Sequence, residues 1–345
     1  MGARTVVKAA VGRAARSPAF DRALGAVERL GPGRAGALPV LAYHRIDDPG
    51  ATGLYPGLVS AEPDEFARQV AHLASRYRVL SLGDLLDVRR GRESLPRRAL
   101  LLTFDDAYRD FAEHAWPVLR EHGLPVTLFV PTAFVGEPER PFWWDRLYAS
   151  LVRTEELACE TSLGRWPLGS SAERLDAYRA LRTRVKALAH EQAMAVVDEV
   201  VARLGEASLG RSLLDWNELR GLAAEGVTLA PHTRTHPLLN RVSLAEAEGE
   251  VVGSHADLER EIGTTPRVLA YPSGACSGAV AAMLERCRFE LAFTIMRHGV
   301  NRLPAVDWLR LRRINVSRSL PLPLLRTSLL PLASRVATAN PDSTG

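Results

Sequence analysis

Short unbroken apolar runs alternate along this chain with segments whose apolar positions recur every three or four residues, and that change of period is its main structural signal. Leu38 to Tyr43, Tyr77 to Leu80, Ala99 to Leu102, Pro125 to Val130, Val227 to Ala230, Arg267 to Tyr271, Glu290 to Thr294 and Leu311 to Val316 read as strands. Runs apolar at successive positions are buried on both faces, as in parallel sheets. Between them lie helical patterns. One starts at Glu62-Pro63-Asp64-Glu65 with Phe66, Val70 and Leu73 on one face, and another is capped by Ser81 and carries Leu82, Leu85 and Leu86. Further helices are predicted up to Glu121 with a stop at Gly123, over Trp216 to Glu225, Leu244 to Ile262, and Ala279 to Arg286. Strand and helix in alternation predict a parallel sheet or a (β/α) barrel.

The rhythm breaks between Gly136 and Leu214, where Leu147, Leu151, Val152, Leu181, Val185, Val196, Val197 and Val200 keep helical spacing throughout. This stretch, about 137–213, reads as a helical insertion lying over one side of an α/β unit that spans 37–318. Residues 1–36 form a basic extension of one or two short amphipathic helices ending at Gly31-Pro32-Gly33. Residues 319–345 form a Pro/Leu-rich segment that runs, from Ala337, into a tail of disordered composition. Beyond the strand–helix alternation there is no internal repeat.

Composition changes this picture little. With 46% apolar and 24% charged residues among 345, the chain is an ordinary globular protein with ample core. The net charge of +4 is spread among arginines and does not imply a nucleic-acid partner; neither zinc-finger spacing nor aromatic-basic interleaving is present. Cys159, Cys276 and Cys287 are too few for a disulfide framework, fit a reducing compartment, and include no Cys-x-x-Cys pair. Between Lys8 and Arg13 only four uncharged residues remain, so the basic N-terminus lacks the apolar core of a signal peptide. It reads either as a solvated helix or as a weak dock for an anionic membrane surface. No run is apolar enough to span a bilayer. A cytoplasmic location, with membrane association through the basic extension, is the resulting expectation.

Two clusters carry chemistry. In Leu100-Leu101-Leu102-Thr103-Phe104-Asp105-Asp106 a buried strand runs into adjacent carboxylates, at the strand end where parallel sheets and barrels place their sites. Two buried carboxylates ionise together only with a cation nearby. A helix cap is the alternative, but a cap needs one Asp, not two. The second cluster, Pro231-His232-Thr233-Arg234-Thr235-His236-Pro237, follows the strand at Val227 to Ala230. Its two histidines face one point if the segment makes a helical turn. Two imidazoles and one carboxylate leave a coordination position free for water or substrate.

Together these motifs resemble the polysaccharide deacetylases of carbohydrate esterase family 4, whose common unit is the NodB-homology domain. The resemblance covers about Leu38 to Val316 apart from the insertion. It implies a distorted (β/α) barrel and one divalent metal, zinc first, with cobalt, nickel and manganese as alternatives. The activity it implies is removal of acetyl groups from N-acetylated sugars. It further implies Asp106, His232 and His236 as metal ligands and Asp105 as general base. Ala270-Tyr271-Pro272-Ser273-Gly274 stands where the family has Arg-x-Pro-Tyr-Gly; Pro272 and the Gly match, and Tyr271, Pro272 and a backbone N–H near Ser273 would face substrate and oxyanion. The motif's Arg and Tyr do not match, and the missing Arg leaves open what orients Asp105. The family's Leu-x-x-His motif has its match early, at Leu41-Ala42-Tyr43-His44, as in the rearranged poly-N-acetylglucosamine deacetylases. His44 is therefore the expected general acid, with His298 as rival and a structural hydrogen bond as the bland alternative.

Other departures are Ala107 in place of a Gly and Pro231 in place of a Ser. The insertion reads as a cap over the groove, which implies a substrate unlike an open polymer. Phe142-Trp143-Trp144 opens it, as a staple to the barrel or as a platform for a sugar ring. The expected function is a metal-dependent N-deacetylase for a glycan, a lipid-linked saccharide or an amino-sugar precursor. An amide hydrolase for a non-sugar metabolite and a glycan-binding protein without turnover are the competing readings.

Overall fold

Eight short strands pair in parallel because their side chains are apolar on both faces and each is followed by a segment long enough to cross back. A computed structural model describes residues 18–30, 36–50, 53–296 and 299–330. The strands are β1 (Val40–Tyr43), β2 (Arg78–Leu80), β3 (Ala99–Asp105), β4 (Thr127–Val130), β5 (Thr228–Pro231), β6 (Val268–Ala270), β7 (Leu291–Met296) and β8 (Leu311–Asn315). Their order is β5-β4-β3-β1-β8-β7-β6, with β2 joining the lower half of β3, and every pairing is parallel. This is a nearly closed barrel. Among the described residues no ladder joins β5 to β6. That seam is bridged by side chains instead: the Thr265 hydroxyl donates to the Leu229 carbonyl at 3.0 Å, and the His232 ring reaches the Ala270 carbonyl at 2.7 Å.

Period-two alternation decides what stands inside. Val40, Leu101, Phe129, Ala230, Val268, Leu291, Phe293 and Leu311 fill the barrel, while Leu41, Leu100, Leu102, Phe104, Leu128 and Leu229 face the helices. Ala99, Leu101, Thr103 and Asp105 thus share the inner face of β3, and Leu311 and Arg313 share that of β8. A carboxylate and a guanidinium are stacked above the same apolar column.

The helices are α1 (Pro18–Leu30), α2 (Pro63–Arg76), α3 (Leu82–Arg89), α4 (Trp116–Glu121), α5 (Thr132–Val135), α6 (Trp143–Arg153), α7 (Ser171–Ala187), α8 (His190–Leu204), α9 (Trp216–Ala224), α10 (Leu244–Ile262), α11 (Gly278–Arg286) and α12 (Leu322–Ser328). Predicted face residues Phe66, Val70 and Leu73 are buried, and Ser81 closes a reciprocal cap with Asp84. The helix expected to run unbroken to Glu121 instead opens with a π-type turn, Phe111–Ala115, ahead of Pro117, which has no N–H for the regular ladder.

The insertion has its own core, in which Leu147, Leu151, Tyr178, Leu181, Val197 and Val200 are buried. It is not wholly helical. Ala158–Thr161 and Gly164–Pro167 form an antiparallel hairpin whose turn uses Gly164 at φ 121°. Only Cys159 and Trp166 of these strands are buried, too few to show a period of two in sequence. The Pro/Leu-rich segment also carries structure: α12 packs beside α1, with Arg326 gripping Glu28 at 2.8 and 3.1 Å. The basic segment before Pro18, the Gly31-Pro32-Gly33 stop and the tail beyond Leu330 lie outside the described residues. No described helix is long and apolar enough to cross a membrane.

Candidate active site

Asp105 and Asp106 end β3, and no helix begins there, so neither acts as a helix cap. Asp105 is buried and meets Arg313 in a two-pronged pair, Nη1 to Oδ1 at 2.6 Å and Nη2 to Oδ2 at 2.7 Å. Burial pushes the Asp105 carboxyl upward, but the Arg313 charge, then His232, and the guanidinium hydrogen bonds outweigh it and hold the group below its usual value. The chain then turns sharply. Asp106 has φ 75° and Ala107 φ 54°, left-handed values that cost an L-residue roughly 1–2 kcal/mol. A Gly at 107, as the family pattern has it, would avoid that strain. The turn sends the two neighbouring carboxylates to different partners.

His232 and His236 converge without the helical turn that the spacing suggested. Thr233 (φ 67°) and His236 (φ 58°) break the segment into tight bends, and its backbone is pinned from α10. Glu250 accepts the Arg234 and Thr235 N–H groups at 2.8 Å each and the Thr235 hydroxyl at 2.6 Å, while the Thr233 hydroxyl accepts the His236 N–H at 3.1 Å. A carbonyl can only accept, so the contact of the His232 ring with Ala270 places the proton on Nδ1 and turns the Nε2 lone pair toward Asp106. Asp106 Oδ1 lies 3.5 Å from His232 Nε2 and 3.4 Å from His236 Nε2.

These three buried residues offer ligand atoms within 4.8 Å of one another. Asp106 Oδ1 is buried and has no hydrogen-bond partner, although burial without a partner is costly for a carboxylate oxygen. One carboxylate and two imidazole nitrogens are a donor set suited to zinc and its neighbours. The residues therefore fit a divalent cation. Burial presses the His236 pKa down to about 3 against the pull of Asp106, so this imidazole is neutral and able to donate a lone pair. For His232, burial pulls downward and is overcome by Asp105 and Asp106, which raise it.

His44, just past β1, stands beside this cluster with Nε2 3.9 Å from Asp105 Oδ2. Its backbone N–H is held by the Ser60 hydroxyl at 2.9 Å, and burial lowers its pKa despite the nearby carboxylates. His298, the rival acid, lies outside the described residues. The loop after β6 divides. Ser273, at φ 53°, lines the cavity, and its hydroxyl accepts from Lys186 at 2.9 Å. Tyr271 does not face substrate space: it is fully buried with its hydroxyl bonded to the Leu309 carbonyl at 2.8 Å, because period-two alternation turns it outward under α11. Pro272 is buried as well and acts by shaping the turn that presents Ser273.

Arg313 and Lys186 at the site have no counterpart in the sequence reading, and Trp144 has a place there that the sequence left open. Arg313 supplies the guanidinium that the loop at Ala270 lacks; the clue was a pair of arginines inside an otherwise apolar strand. Trp144 sets its ring edge against His236 at 4.9 Å between centroids and stacks on Phe142 at 4.4 Å. Its N–H donates to the Tyr108 hydroxyl at 2.9 Å, which donates to Asp145 at 2.7 Å. Trp144 therefore staples the insertion to the barrel and walls the site at once. A cavity opens here, lined by His44, Tyr55, Asp106, Trp144, Lys186 and Ser273. Lys186, from α7, is brought down to a pKa of about 8 by burial and by Arg182.

Known proteins resemble this chain to different extents. A sequence profile described as Polysaccharide deacetylase matches residues 92–292. A poly-beta-1,6-N-acetyl-D-glucosamine N-deacetylase of Escherichia coli is 26% identical over 99 residues, which make up 28% of this chain and 14% of that protein. The chain thus aligns with only a small part of that relative. Among solved structures, the Streptococcus pyogenes deacetylase PplD, in complex with acetate, superposes with a TM-score of 0.59 at 20% identity, over 86% of this chain and 100% of that one. IcaB from Ammonifex degensii gives 0.56 at 20% identity, over 85% and 97%.

Proposed function

Because the chain belongs to the polysaccharide deacetylase family, we propose that it hydrolyses the N-acetyl group of an N-acetylated saccharide with one divalent cation, zinc first, held by Asp106, His232 and His236. The observation that carries this reading is the partnerless Asp106 carboxylate oxygen facing two imidazole nitrogens inside a cavity. When bound, such a cation supplies the Lewis acidity that polarises an amide carbonyl and acidifies water.

The protein's own groups divide the rest. Arg313 keeps Asp105 ionised and fixes both its oxygens, so the carboxylate is ready to take a proton from the attacking water. Protonated Asp105 would leave Arg313 half-compensated in a dry site, which favours handing the proton on. His44 lies next in line. Its lowered pKa means that it rests neutral and, once protonated, is a strong acid toward the departing amine. In this reading the Ser273 backbone N–H would donate to the carbonyl oxygen, which becomes an anion during attack. Trp144 and the insertion above it exclude water and hold His236 in place.

The missing loop arginine favoured a binding protein without turnover; Arg313, arriving from β8, removes that reason. The test is acetate release from N-acetylglucosamine oligomers by the full chain before chelation, after chelation, and after metal is restored. Release that stops and returns supports the reading. Release indifferent to chelation would refute the metal role, and no release with metal bound would refute the activity.

A further inference from the structure

Two cations of the insertion, Arg182 and Lys186, face the cavity. Arg182 and Lys186 are one helical turn apart on α7 and so share a face. Both line the cavity that holds Asp106, His232 and His236. Lys186 donates to the Ser273 hydroxyl at 2.9 Å, and Arg182 reaches the Tyr55 hydroxyl at 3.5 Å with its guanidinium 5.2 Å over the Tyr55 ring. Among the described residues neither is in an ion pair, and neither is held by a backbone carbonyl as Arg153, Arg174 and Arg184 of the same insertion are. Two like charges held side by side repel each other, and a dissolved anion between them would relieve that repulsion.

Behind Lys186 lies a second, mainly apolar recess, lined by Trp143, Val185, Leu188, Met194 and Leu238 together with His190 and Arg241, which meets the first at Trp144, Lys186, His236 and Ser273. An anion at Lys186 would sit between the reacting sugar and this apolar space.

We propose that Arg182 and Lys186 bind a phosphate carried by the saccharide, so that the substrate is an N-acetylated amino-sugar phosphate. This rests on the deacetylase reading above. Arg offers a planar fork and Lys a point charge, a combination that suits a phosphate approached from two sides. The phosphate belongs either to a free sugar phosphate or to a phosphodiester whose apolar arm enters the second recess.

The experiment compares acetate release by the metal-loaded full chain from N-acetylglucosamine, N-acetylglucosamine 1-phosphate and the decyl phosphodiester of the latter. Either phosphate should exceed the uncharged sugar in kcat/KM by at least tenfold, and the preferred form tells free phosphate from lipid phosphate. Arg182→Gln and Lys186→Met should each shrink that ratio by about tenfold, chiefly through KM, the scale of one charge-assisted contact. Equal kcat/KM for all three compounds, or a preference that survives the double variant, would overturn the proposal. Calorimetry of N-acetylglucosamine 1-phosphate on metal-free wild-type protein needs neither turnover nor variants. Binding that is tighter than for the uncharged sugar and weakens with salt supports the phosphate site. Equal binding of both overturns it, even where acetate release shows the deacetylase reading to be sound.

Discussion

Removing the Arg313 guanidinium with Arg313→Met should turn Asp105 from an asset into a liability. The pair is fully buried, with contacts of 2.6 and 2.7 Å. Unit charges about 4 Å apart between centres attract by about 4 kcal/mol at an effective dielectric near 20, and stranding one buried partner typically costs about 3–5 kcal/mol. We expect a loss of that order at pH 7 in urea unfolding of the metal-free protein. The pH dependence should also change sign. In the wild type the Asp105 pKa is depressed, so its stabilising contribution is present above the unfolded value of 3.8 and falls away as pH drops. Without Arg313 burial dominates, the folded pKa rises above that value, and stability is lost as pH increases. Adding Asp105→Asn to Arg313→Met removes the stranded charge. The double variant should be several kcal/mol more stable than the sum of the single losses predicts. Single losses under about 1 kcal/mol that simply add would refute this account of Asp105.

Two further predictions concern groups around the cavity. His44→Gln should lower turnover by more than about tenfold while leaving metal stoichiometry intact; turnover within about threefold of wild type would remove His44 from the acid role. Asp145, bonded by Tyr108 and by the Tyr55 N–H, is lifted to about 6 chiefly by burial. A raised carboxylate pKa favours the folded state below the unfolded value and penalises it above. Stability should therefore fall as pH rises from about 4 to about 6, and Asp145→Asn should abolish that part of the slope in urea titrations.

Much of this was legible before any coordinates. The eight strands and the order of the helices followed from the change of hydrophobic period, and Leu244–Ile262 has the predicted bounds. Asp105, Asp106, His232 and His236 stood out because costly polar residues finish buried strands, and the barrel brings those strand ends together. What escaped depends on contacts distant in sequence. Arg313 meets Asp105 only because β3 and β8 present the same inner face across β1. Lys186 reaches Ser273 only once the insertion folds back over the barrel. Tyr271 was misplaced because it was grouped with the loop that lines the groove, without the alternation that turns it away from the cavity. The bends at Thr233 and His236 are left-handed, and neither residue type announces that in sequence.

The central claim is that Asp106, His232 and His236 form a metal centre. It is tested most directly by the metal content per chain of the purified protein, alongside Asp106→Ala and His236→Ala variants shown to be folded. The account predicts about one equivalent of a divalent metal in the wild type and almost none in either variant, since each loses a ligand from a set of three. A folded wild type that takes up no metal when zinc, cobalt, nickel and manganese are supplied would contradict it.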